Sequence, residues 1–320
     1  MYMEDLKNKV RSIWNSPLLC AVRIPIFSMI EKWFGYPLLK RQYRQKTGRI
    51  LSIKNPRSFN EKVCWKKVHD RNPLMARAAD KYEVRNLVKE LLGEGEANNI
   101  LIPLLYVTND PETIPFENFD CEYIIKANHG SGTNIIVSDR NIDRGEIIKE
   151  CKKWLRMKYG IFKHEWAYEN IDVQIIIEKL IRDKDGKLPV DYKFHMFHGR
   201  CEMIQVNQGL FSDKDNRTLN MLSPEWKKLD VFWEFPPAEH INKPFQLDKM
   251  LALAEKLSKP FDYIRVDLYC VDEHIYFGEL TNYPTSGMAK ILPASFDFEM
   301  GEKWRIENEY WKNNNPSSNL

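Results

Sequence analysis

The chain has 320 residues and a formal net charge of +3, with 43% hydrophobic and 29% charged residues. These proportions are typical of a globular protein with one large core or two to three smaller ones. The net charge is too small to indicate a nucleic-acid partner, and none is expected. The longest apolar tract, around 17–39, is interrupted by charged residues and a proline, which argues against a membrane span.

The six cysteines are scattered along the sequence without a Cys-x-x-Cys pair. This spacing excludes the common zinc sites and a disulfide framework. Reduced thiols are typical of the cytoplasm, which is the compartment that the sequence predicts.

Residues 1–50 are predicted to form a basic, amphipathic helical extension. Apolar side chains between Ile24 and Phe34 precede a group of lysines and arginines between Lys40 and Arg49. Because apolar residues beside clustered positive charge can lie on an anionic surface, residues 20–50 are a candidate for peripheral contact with the inner face of the cell membrane. The alternative is a helical arm that packs on the main body with its basic face solvated.

Residues 75–92 show the apolar spacing of an amphipathic helix. Lys81 lies near the predicted start of this helix, where the helix dipole already attracts anions. Lys81 is therefore either part of an anion site or one more surface lysine.

The stretch 123–137, YIIKANHGSGTNIIV, predicts two strands joined by a glycine-rich loop. Glycine lets the backbone approach a phosphate closely. The loop is neither a Walker A motif nor a dinucleotide fingerprint, since no Gly-Lys-Ser/Thr follows and a strand comes next. It predicts a hairpin loop that folds over phosphates, with the candidate residues Lys126, His129, Gly130, Ser131 and Gly132.

The next apolar stretch, 173–181, predicts a buried strand that ends in Glu178 and Lys179. The end of such a strand can offer backbone groups to a purine edge. The alternative is an ordinary edge strand with a solvated glutamate.

Residues 191–206 predict a second hairpin, in which Lys193 and His195 share one face of a strand. His195 either contacts a phosphate, transfers a proton or is an ordinary hairpin residue. The polar loop that follows, 207–217, ends in Arg217, a candidate clamp for a carboxylate.

Residues 263–287 predict a third hairpin, whose strand-like runs flank the turn Asp272-Glu273-His274. With a three-residue loop, Asp267 and Glu279 stand directly opposite each other, about 5 Å apart at Cβ. A two-residue loop would place Glu279 on the other face. Two carboxylates so close together favour a divalent cation, and few oxygen ligands suit Mg²⁺ shared with phosphates. The alternative is a surface hairpin with solvated acids.

Six segments, taken in order, resemble the TupA-like ATP-grasp family of polysaccharide biosynthesis. They are SFNEKVCWKKVHDRNPL (58–74), ADKYEVR (79–85), IIKANHGSGTNIIV (124–137), IIIEKLI (175–181), DYKFHMFHG (191–199) and IRVDLYCVDEHIYFGELT (264–281). The resemblance implies an α+β ATP-grasp fold, in which the nucleotide is held between two α+β subdomains. Behind the extension 1–50 it implies an N-terminal subdomain over 51–120, a central one over 121–180 and a C-terminal one over 181–320.

The resemblance also implies the cofactors ATP and Mg²⁺ and roles for the residues that bind ATP. Lys81 and Lys126 would neutralise the α- and β-phosphates, and the loop 129–134 would close over the β- and γ-phosphates. The adenine edge would be bound by Glu178, Lys179 and Leu180.

At the reacting end, Lys193 would reach the nucleotide and Arg265 would stabilise the γ-phosphoryl group during its transfer. Asp267 and Glu279 would hold Mg²⁺. Many ATP-grasp proteins carry Glu-x-Asn at the metal site, whereas this sequence has Glu279-Leu280-Thr281-Asn282. Either the Thr281 hydroxyl or Asn282 would therefore complete the metal site.

The reaction that the resemblance implies is ATP-dependent carboxylate–amine ligation through an acyl-phosphate. The expected product is an amino acid or peptide joined to a uronic acid of a capsule or cell-wall polysaccharide, or of its precursor. One alternative is a glycosyltransferase of polysaccharide synthesis, for which the nearest Asp-x-Asp match is Asp183-Lys184-Asp185, followed by a turn-forming glycine. Another is a non-catalytic member that binds nucleotide.

Overall fold

The computed structural model describes residues 26–139, 142–208, 217–307 and 309–314. The chain divides after Leu51 into two compact units. The expectations for residues 1–25 and for most of the loop 207–217 concern positions outside the described residues. The predicted subdomain boundaries at 50, 120 and 180 stay predictions.

In the first unit, residues 26–33 are helical, and helix α1 follows at Pro37–Thr47. Glu31 connects the two, since its Oε1 accepts the backbone N–H of Leu38 at 3.0 Å. Helix α1 ends at Gly48, whose positive φ of 73° suits a residue without a side chain. Among the described helices, none is long and apolar enough to cross a membrane.

The second unit opens with four helices, α2 (Phe59–His69), α3 (Leu74–Ala79), α4 (Val84–Leu92) and α5 (Glu94–Ile100). Helix α2 begins with a capping box, in which the Ser58 and Glu61 side chains each accept the other's backbone N–H.

The prediction of one continuous helix over 75–92 is wrong, because the chain leaves the helix at Asp80. The Asp80 Oδ1 accepts the backbone N–H of Tyr82 at 2.8 Å and that of Glu83 at 3.2 Å. These bonds satisfy backbone donors where α4 begins, so they favour a new start over continuation. Lys81 therefore lies in the turn between α3 and α4.

The first sheet consists of β1 (Leu104–Thr108), β2 (Tyr123–Ala127), β3 (Asn134–Val137) and β4 (Ile175–Lys179). All neighbours are antiparallel, in the order β1-β4-β2-β3. Helix α6 (Arg144–Leu155) packs its Trp154 into a core with Ile125 and Ile177. The predicted strand–glycine loop–strand unit and the buried strand ending at Lys179 are confirmed.

The remaining strands are β5 (Asp191–Phe197), β6 (Arg200–Gln208), β7 (Thr218–Leu222), β8 (Phe232–Trp233), β9 (Tyr263–Val271), β10 (His274–Thr281) and β11 (Ile291–Leu292). Five of them form the second sheet, in the order β10-β9-β5-β6-β7, and β8 pairs with β11. The helices are α7 (Leu247–Ser258), α8 (Ala294–Lys303) and α9 (Tyr310–Asn314). The predicted hairpin over 191–206 is confirmed.

The second sheet has one apolar face and one polar face, the polar one bordered by a second core around Phe197 and Tyr263, because side chains alternate along β5 and β9. Phe194, Ile264 and Val266 are fully buried in the core that also contains α7 residues such as Leu257. The residues between them are polar, namely Asp191, Lys193, His195, Arg265 and Asp267. Packing of α7 on the apolar face thus leaves the polar side chains together on the other face.

The hairpin β9–β10 has a shorter turn than predicted. The turn contains only Asp272 and Glu273, both with positive φ (47° and 69°), and His274 already pairs with Val271. The predicted three-residue loop is therefore wrong. A regular hairpin with this two-residue turn would direct Glu279 away from the polar face.

Even so, Asp267 pairs with Glu279, because the register shifts between Phe277 and Glu279. Gly278 is the extra residue of this β-bulge. A Cβ at Gly278 would lie 3.0 Å from the carbonyl oxygen of Asp267 and 3.2 Å from the Tyr269 ring. Glycine thus fits where the bulge approaches β9, and a larger residue would have to displace β9 slightly.

Candidate functional site

A cleft of about 630 Å³ is lined by residues of both sheets and of the turn between α3 and α4. This volume lies within the range of small-molecule sites, roughly 300–1,000 Å³. Of the predicted site residues, those that line it are Lys81, Lys126, Gly130, Ser131, Gly132, Glu178, Lys179, Leu180, Lys193, Asp267 and Glu279. The fold therefore brings distant parts of the sequence to one cleft.

Glu279, Asp267 and Lys193 form one row across three neighbouring strands of the second sheet. Asp267 pairs with Glu279 on β10 and with Lys193 on β5. The Arg265 Nη2 lies 2.7 Å from Asp267 Oδ2 and 3.0 Å from Glu279 Oε1, and Lys193 Nζ also contacts Asp267. The two cations hold side by side two carboxylates that would otherwise repel each other.

Glu279 is the more accessible of the two carboxylates. Its side chain keeps 42% of its surface exposed, whereas that of Asp267 keeps 1%. Its position in the cleft partly removes Glu279 from water and so favours its neutral form, but the positive charges of Arg265, Lys193 and Lys81 outweigh this effect and lower its pKa to about 2. Glu279 therefore offers a negative charge to the cleft at neutral pH.

Asp191 is a third carboxylate of this site, which the sequence analysis did not single out. It lies two residues before Lys193 on β5, contacts Lys193 Nζ and lines the cleft. Its Oδ1 is buried without a hydrogen-bond partner among the described residues. Burial raises the pKa of Asp191. The charge of Lys193 opposes this rise, and the charge of Asp267 adds to it. The two-residue spacing from Lys193 was the available signal.

The carboxylates fit Mg²⁺ that is bound together with phosphates. Glu279 presents hard oxygen donors to the cleft, whereas both oxygens of the 1% exposed Asp267 accept from Arg265. Mg²⁺ in nucleotide sites takes one or two carboxylates plus phosphate oxygens and water. Over the described ranges, no group of three or more His, Cys, Asp or Glu side chains is arranged to hold a metal by itself. A site that needs phosphate oxygens to complete it agrees with both observations.

Thr281 and Asn282, the two candidates for the last metal position, point to different surroundings. The Thr281 hydroxyl donates to Glu279 Oε1 at 2.7 Å and accepts from Arg265 at 2.9 Å. Asn282 is 1% exposed, and its Nδ2 donates to the backbone oxygen of Met75 at 2.8 Å. Thr281 is therefore the one that contacts a cleft residue, although its role as a ligand stays a prediction.

The glycine loop is held at its base by Lys81 and Tyr159. Lys81 Nζ donates to the backbone oxygen of Gly130, and the hydroxyls of Ser131 and Tyr159 are 2.8 Å apart. Gly130 has a positive φ of 73°, and a Cβ there would lie 2.5 Å from the Tyr159 ring. Only glycine satisfies both the backbone conformation and the ring contact at this position.

Glu178 forms two ion pairs in the cleft, with Lys126 Nζ at 2.9 Å and with Arg85 Nη1 at 3.0 Å. The family resemblance implies the adenine edge for Glu178 and a phosphate for Lys126, and Arg85 on α4 was not predicted as a site residue. The geometry joins all three in one network. Glu178 thus offsets part of the positive charge that two basic side chains bring to the cleft.

Some candidate residues do not line the cleft in the described parts of the chain. His129 is 1% exposed, with its Nε2 3.0 Å from the backbone oxygen of Met157. Arg217 lies over the Phe235 ring, with its Cζ 5.9 Å from the ring centre. The proposed roles of His129 and Arg217 stay predictions.

The model of the family described as TupA-like ATPgrasp matches residues 61–305. No curated protein sequence gives a significant match.

The chain is similar to solved ligase structures at low identity. D-alanine–D-alanine ligase from Bacillus anthracis shares 17% identity, with 64% of this chain and 57% of that chain covered and a TM-score of 0.36. The ATP-grasp ligase PsnB with Mg and ADP shares 12%, with 66% and 52% covered and a TM-score of 0.36. D-alanine–D-alanine ligase from Helicobacter pylori shares 14% identity, with 77% of this chain and 67% of that chain covered and a TM-score of 0.39.

The chain spans little more than half the length of the first two ligases. The family model covers more than half of the chain, including both sheets, the glycine loop and the carboxylate hairpin. The predicted α+β ATP-grasp fold and the predicted resemblance are confirmed, and the chain belongs to the TupA-like ATP-grasp family.

Proposed function

We propose that this protein is an ATP-dependent ligase that joins a carboxylate to an amine through an acyl-phosphate. The observation that carries the proposal is the row Glu279–Asp267–Lys193, held by Arg265 beside a cleft that the glycine loop also lines. Phosphoryl transfer depends mainly on positioning and on stabilisation of charge, and this arrangement supplies both. Membership of an ATP-grasp family supports ATP as the phosphoryl donor.

In this proposal the basic side chains of the cleft bind the phosphates of ATP. Lys81 and Lys126 neutralise negative charge, and the glycine loop approaches closely enough to donate backbone N–H groups. Asp267 and Glu279 would hold Mg²⁺, which when bound neutralises the charge of the phosphate oxygens. Lys193 on β5 contacts Asp267 on the side away from Glu279 and keeps the Asp267 carboxylate in place.

The reaction then has two steps. A carboxylate oxygen of the first substrate attacks the γ-phosphorus and ADP leaves, while Arg265 stabilises the charge of the transferring group. The amine nitrogen of the second substrate attacks the acyl carbon of the acyl-phosphate, phosphate leaves and the nitrogen loses a proton. Because water also attacks an acyl-phosphate, the glycine loop is proposed to act as a lid that excludes it.

We further propose that the reaction links an amino acid or peptide to a uronic acid of a capsule or cell-wall polysaccharide, or of its precursor, in the cytoplasm. The support for this finer statement is the resemblance of six ordered segments to a family of polysaccharide biosynthesis.

ADP release by the purified protein with Mg-ATP tests the proposal. Uronic acids and amino acids are supplied separately and together, with EDTA as a control for the metal. We expect ADP only when a carboxylate and an amine are both present, and none with EDTA. If no pool raises ADP while UDP-sugars, and not ATP, raise the melting temperature, the ligase proposal fails and a glycosyltransferase takes its place. ATP binding without turnover would instead indicate a non-catalytic member.

We also propose that the first unit binds anionic membrane surfaces. Ile26, Met29, Ile30 and Trp33 recur at helical spacing, and their exposed fractions are 46%, 63%, 44% and 83%. Exposed basic side chains follow on α1, namely Lys40, Arg41, Arg44 and Lys46. An apolar helix face beside positive charge is complementary to an anionic bilayer, where apolar side chains enter the interface and lysines attract the headgroups.

Replacing Trp33 and Phe34 together by serine is expected to weaken binding to phosphatidylglycerol vesicles at least tenfold. Each large apolar side chain contributes about 1.5–3 kcal/mol when it leaves water, and about 1.4 kcal/mol corresponds to tenfold. Cosedimentation at several salt concentrations measures the binding. Phe245→Ser, which removes an 84% exposed aromatic side chain from the other unit, is the matched control. Equal retention of wild type on neutral and anionic vesicles would contradict the proposal.

A further inference from the structure

His195 lies at the centre of a buried hydrogen-bond chain in the second sheet. It is fully buried, with its ring close to those of Phe59 and Trp233. Its Nδ1 is 2.9 Å from the Tyr263 hydroxyl and its Nε2 is 3.2 Å from Gln205 Oε1. The direct contact with phosphate considered for His195 from the sequence is therefore not what the structure shows.

The hydrogen bond between Gln205 and Asn207 determines the direction of the other hydrogen bonds in this series. Gln205 Nε2 donates to Asn207 Oδ1 at 2.9 Å, so Gln205 Oε1 is left as the acceptor for His195. Burial lowers the pKa of His195 to about 3, helped by the charges of Arg265 and Lys193, so the ring is neutral and carries one N–H. That proton is on Nε2, and Nδ1 accepts from the Tyr263 hydroxyl.

This chain of hydrogen bonds ends at Asn207, which lines the cleft. Because its Oδ1 is used by Gln205, its Nδ2 is the part of the amide left for the cleft. Asn207 pairs across β5–β6 with Asp191, whose Oδ1 has no partner among the described residues. An N–H donor and a carboxylate acceptor thus stand side by side.

We infer that Asn207 is a ligand-binding residue that donates its amide N–H to a ligand hydroxyl oxygen, that Asp191 accepts the neighbouring hydroxyl, and that His195 is a positioning residue that fixes the Asn207 amide through Gln205. This rests on the proposed function. The ligand chemistry is a pair of adjacent hydroxyls. Both the ribose of a nucleotide and the sugar ring of a uronic acid carry such a pair.

The test measures binding of Mg-ADP by calorimetry in a double-mutant cycle. If the ribose supplies the hydroxyls, Asn207→Leu, which removes the amide at similar size, is expected to weaken binding about tenfold. Gln205→Met is expected to weaken binding severalfold in the wild-type background and to have no further effect in the Asn207→Leu background. His195→Phe, which keeps a ring among the neighbouring rings, is expected to behave like Gln205→Met. A purely structural role would weaken binding equally in both backgrounds and would overturn the inference for His195.

The same variants distinguish the source of the hydroxyls. If the ribose supplies them, 2′-deoxy-ADP and 3′-deoxy-ADP bind the wild type more weakly than ADP, and Asn207→Leu no longer discriminates. If the uronic acid supplies them, ADP binding is unchanged in Asn207→Leu and the KM for the uronic acid rises, and the same double-mutant cycle is measured on that KM. Wild-type values throughout for Asn207→Leu would overturn the inference, whereas failure of the wild type to bind Mg-ADP would refute the proposed function on which it rests.

Discussion

Replacing Glu279 by glutamine is expected to lower the rate of ADP formation by about 10²–10³-fold, the scale on which loss of one preorganised electrostatic group slows an enzyme. Glutamine keeps the size of the side chain and an oxygen that can accept from Arg265 and Thr281, so the hairpin should remain folded. What is lost is the negative charge that the cleft offers to a cation. Steady-state ADP release at saturating Mg-ATP measures the effect.

Glu273→Gln is the matched control for this variant. It makes the same chemical change in the exposed turn of the same hairpin and should leave the rate unchanged. Wild-type turnover by Glu279→Gln at every Mg²⁺ concentration would show that Glu279 is not a metal ligand. A loss of turnover that high Mg²⁺ partly restores would support its assignment.

Replacing Gly278 by alanine is expected to lower both the stability of the protein and its rate of ADP formation. The added Cβ would meet the backbone oxygen of Asp267 at 3.0 Å, so β9 and β10 must shift by a few tenths of an ångström where the two carboxylates face each other. Overpacking of this kind costs about 1–3 kcal/mol of unfolding free energy. Because a displacement of about 1 Å at reacting groups costs up to about 10²-fold in rate, this smaller shift is expected to slow ADP formation severalfold. Urea unfolding and steady-state kinetics measure the two effects.

Gly95→Ala provides the control, because Gly95 lies in helix α5 and a Cβ there would meet nothing within 4 Å. Alanine is the better helix former, so this change should stabilise the protein or leave it unchanged. If Gly278→Ala unfolds and turns over like the wild type, the bulge does not position Glu279.

The sequence predicted those parts of the site that depend on local pattern. The alternation around Asp267 identifies a strand and its polar face, and the glycines at 130 and 132 identify a loop between two strands. Such patterns follow directly from the two-residue period of a strand and from the freedom of glycine. The opposition of Asp267 and Glu279 was also predicted, although from a turn that the structure does not have.

What the sequence did not predict depends on contacts between distant segments. The bulge at Gly278 follows from its close approach to β9, and nothing in the residues on either side of it indicates an extra position. Likewise, the ion pairs of Glu178 with Lys126 and Arg85 join three separate elements. The break at Asp80 is the exception, because an aspartate can accept the backbone N–H groups two and three residues after it and so begin a new helix. This signal is local, but the prediction of one helix followed the apolar spacing instead.

The pairing of β5 with β9 also has a consequence for folding. Lys193 and Asp267 are separated by 74 positions along the chain, and Arg85 and Glu178 by 93. Contacts between residues so far apart in the sequence form slowly, because the chain loses the entropy of loop closure before the contacts can stabilise it. Lys193 therefore cannot form its ion pair with Asp267 until residues 263–281 have been synthesised. A chain that stops before them has the glycine loop but not the charged row.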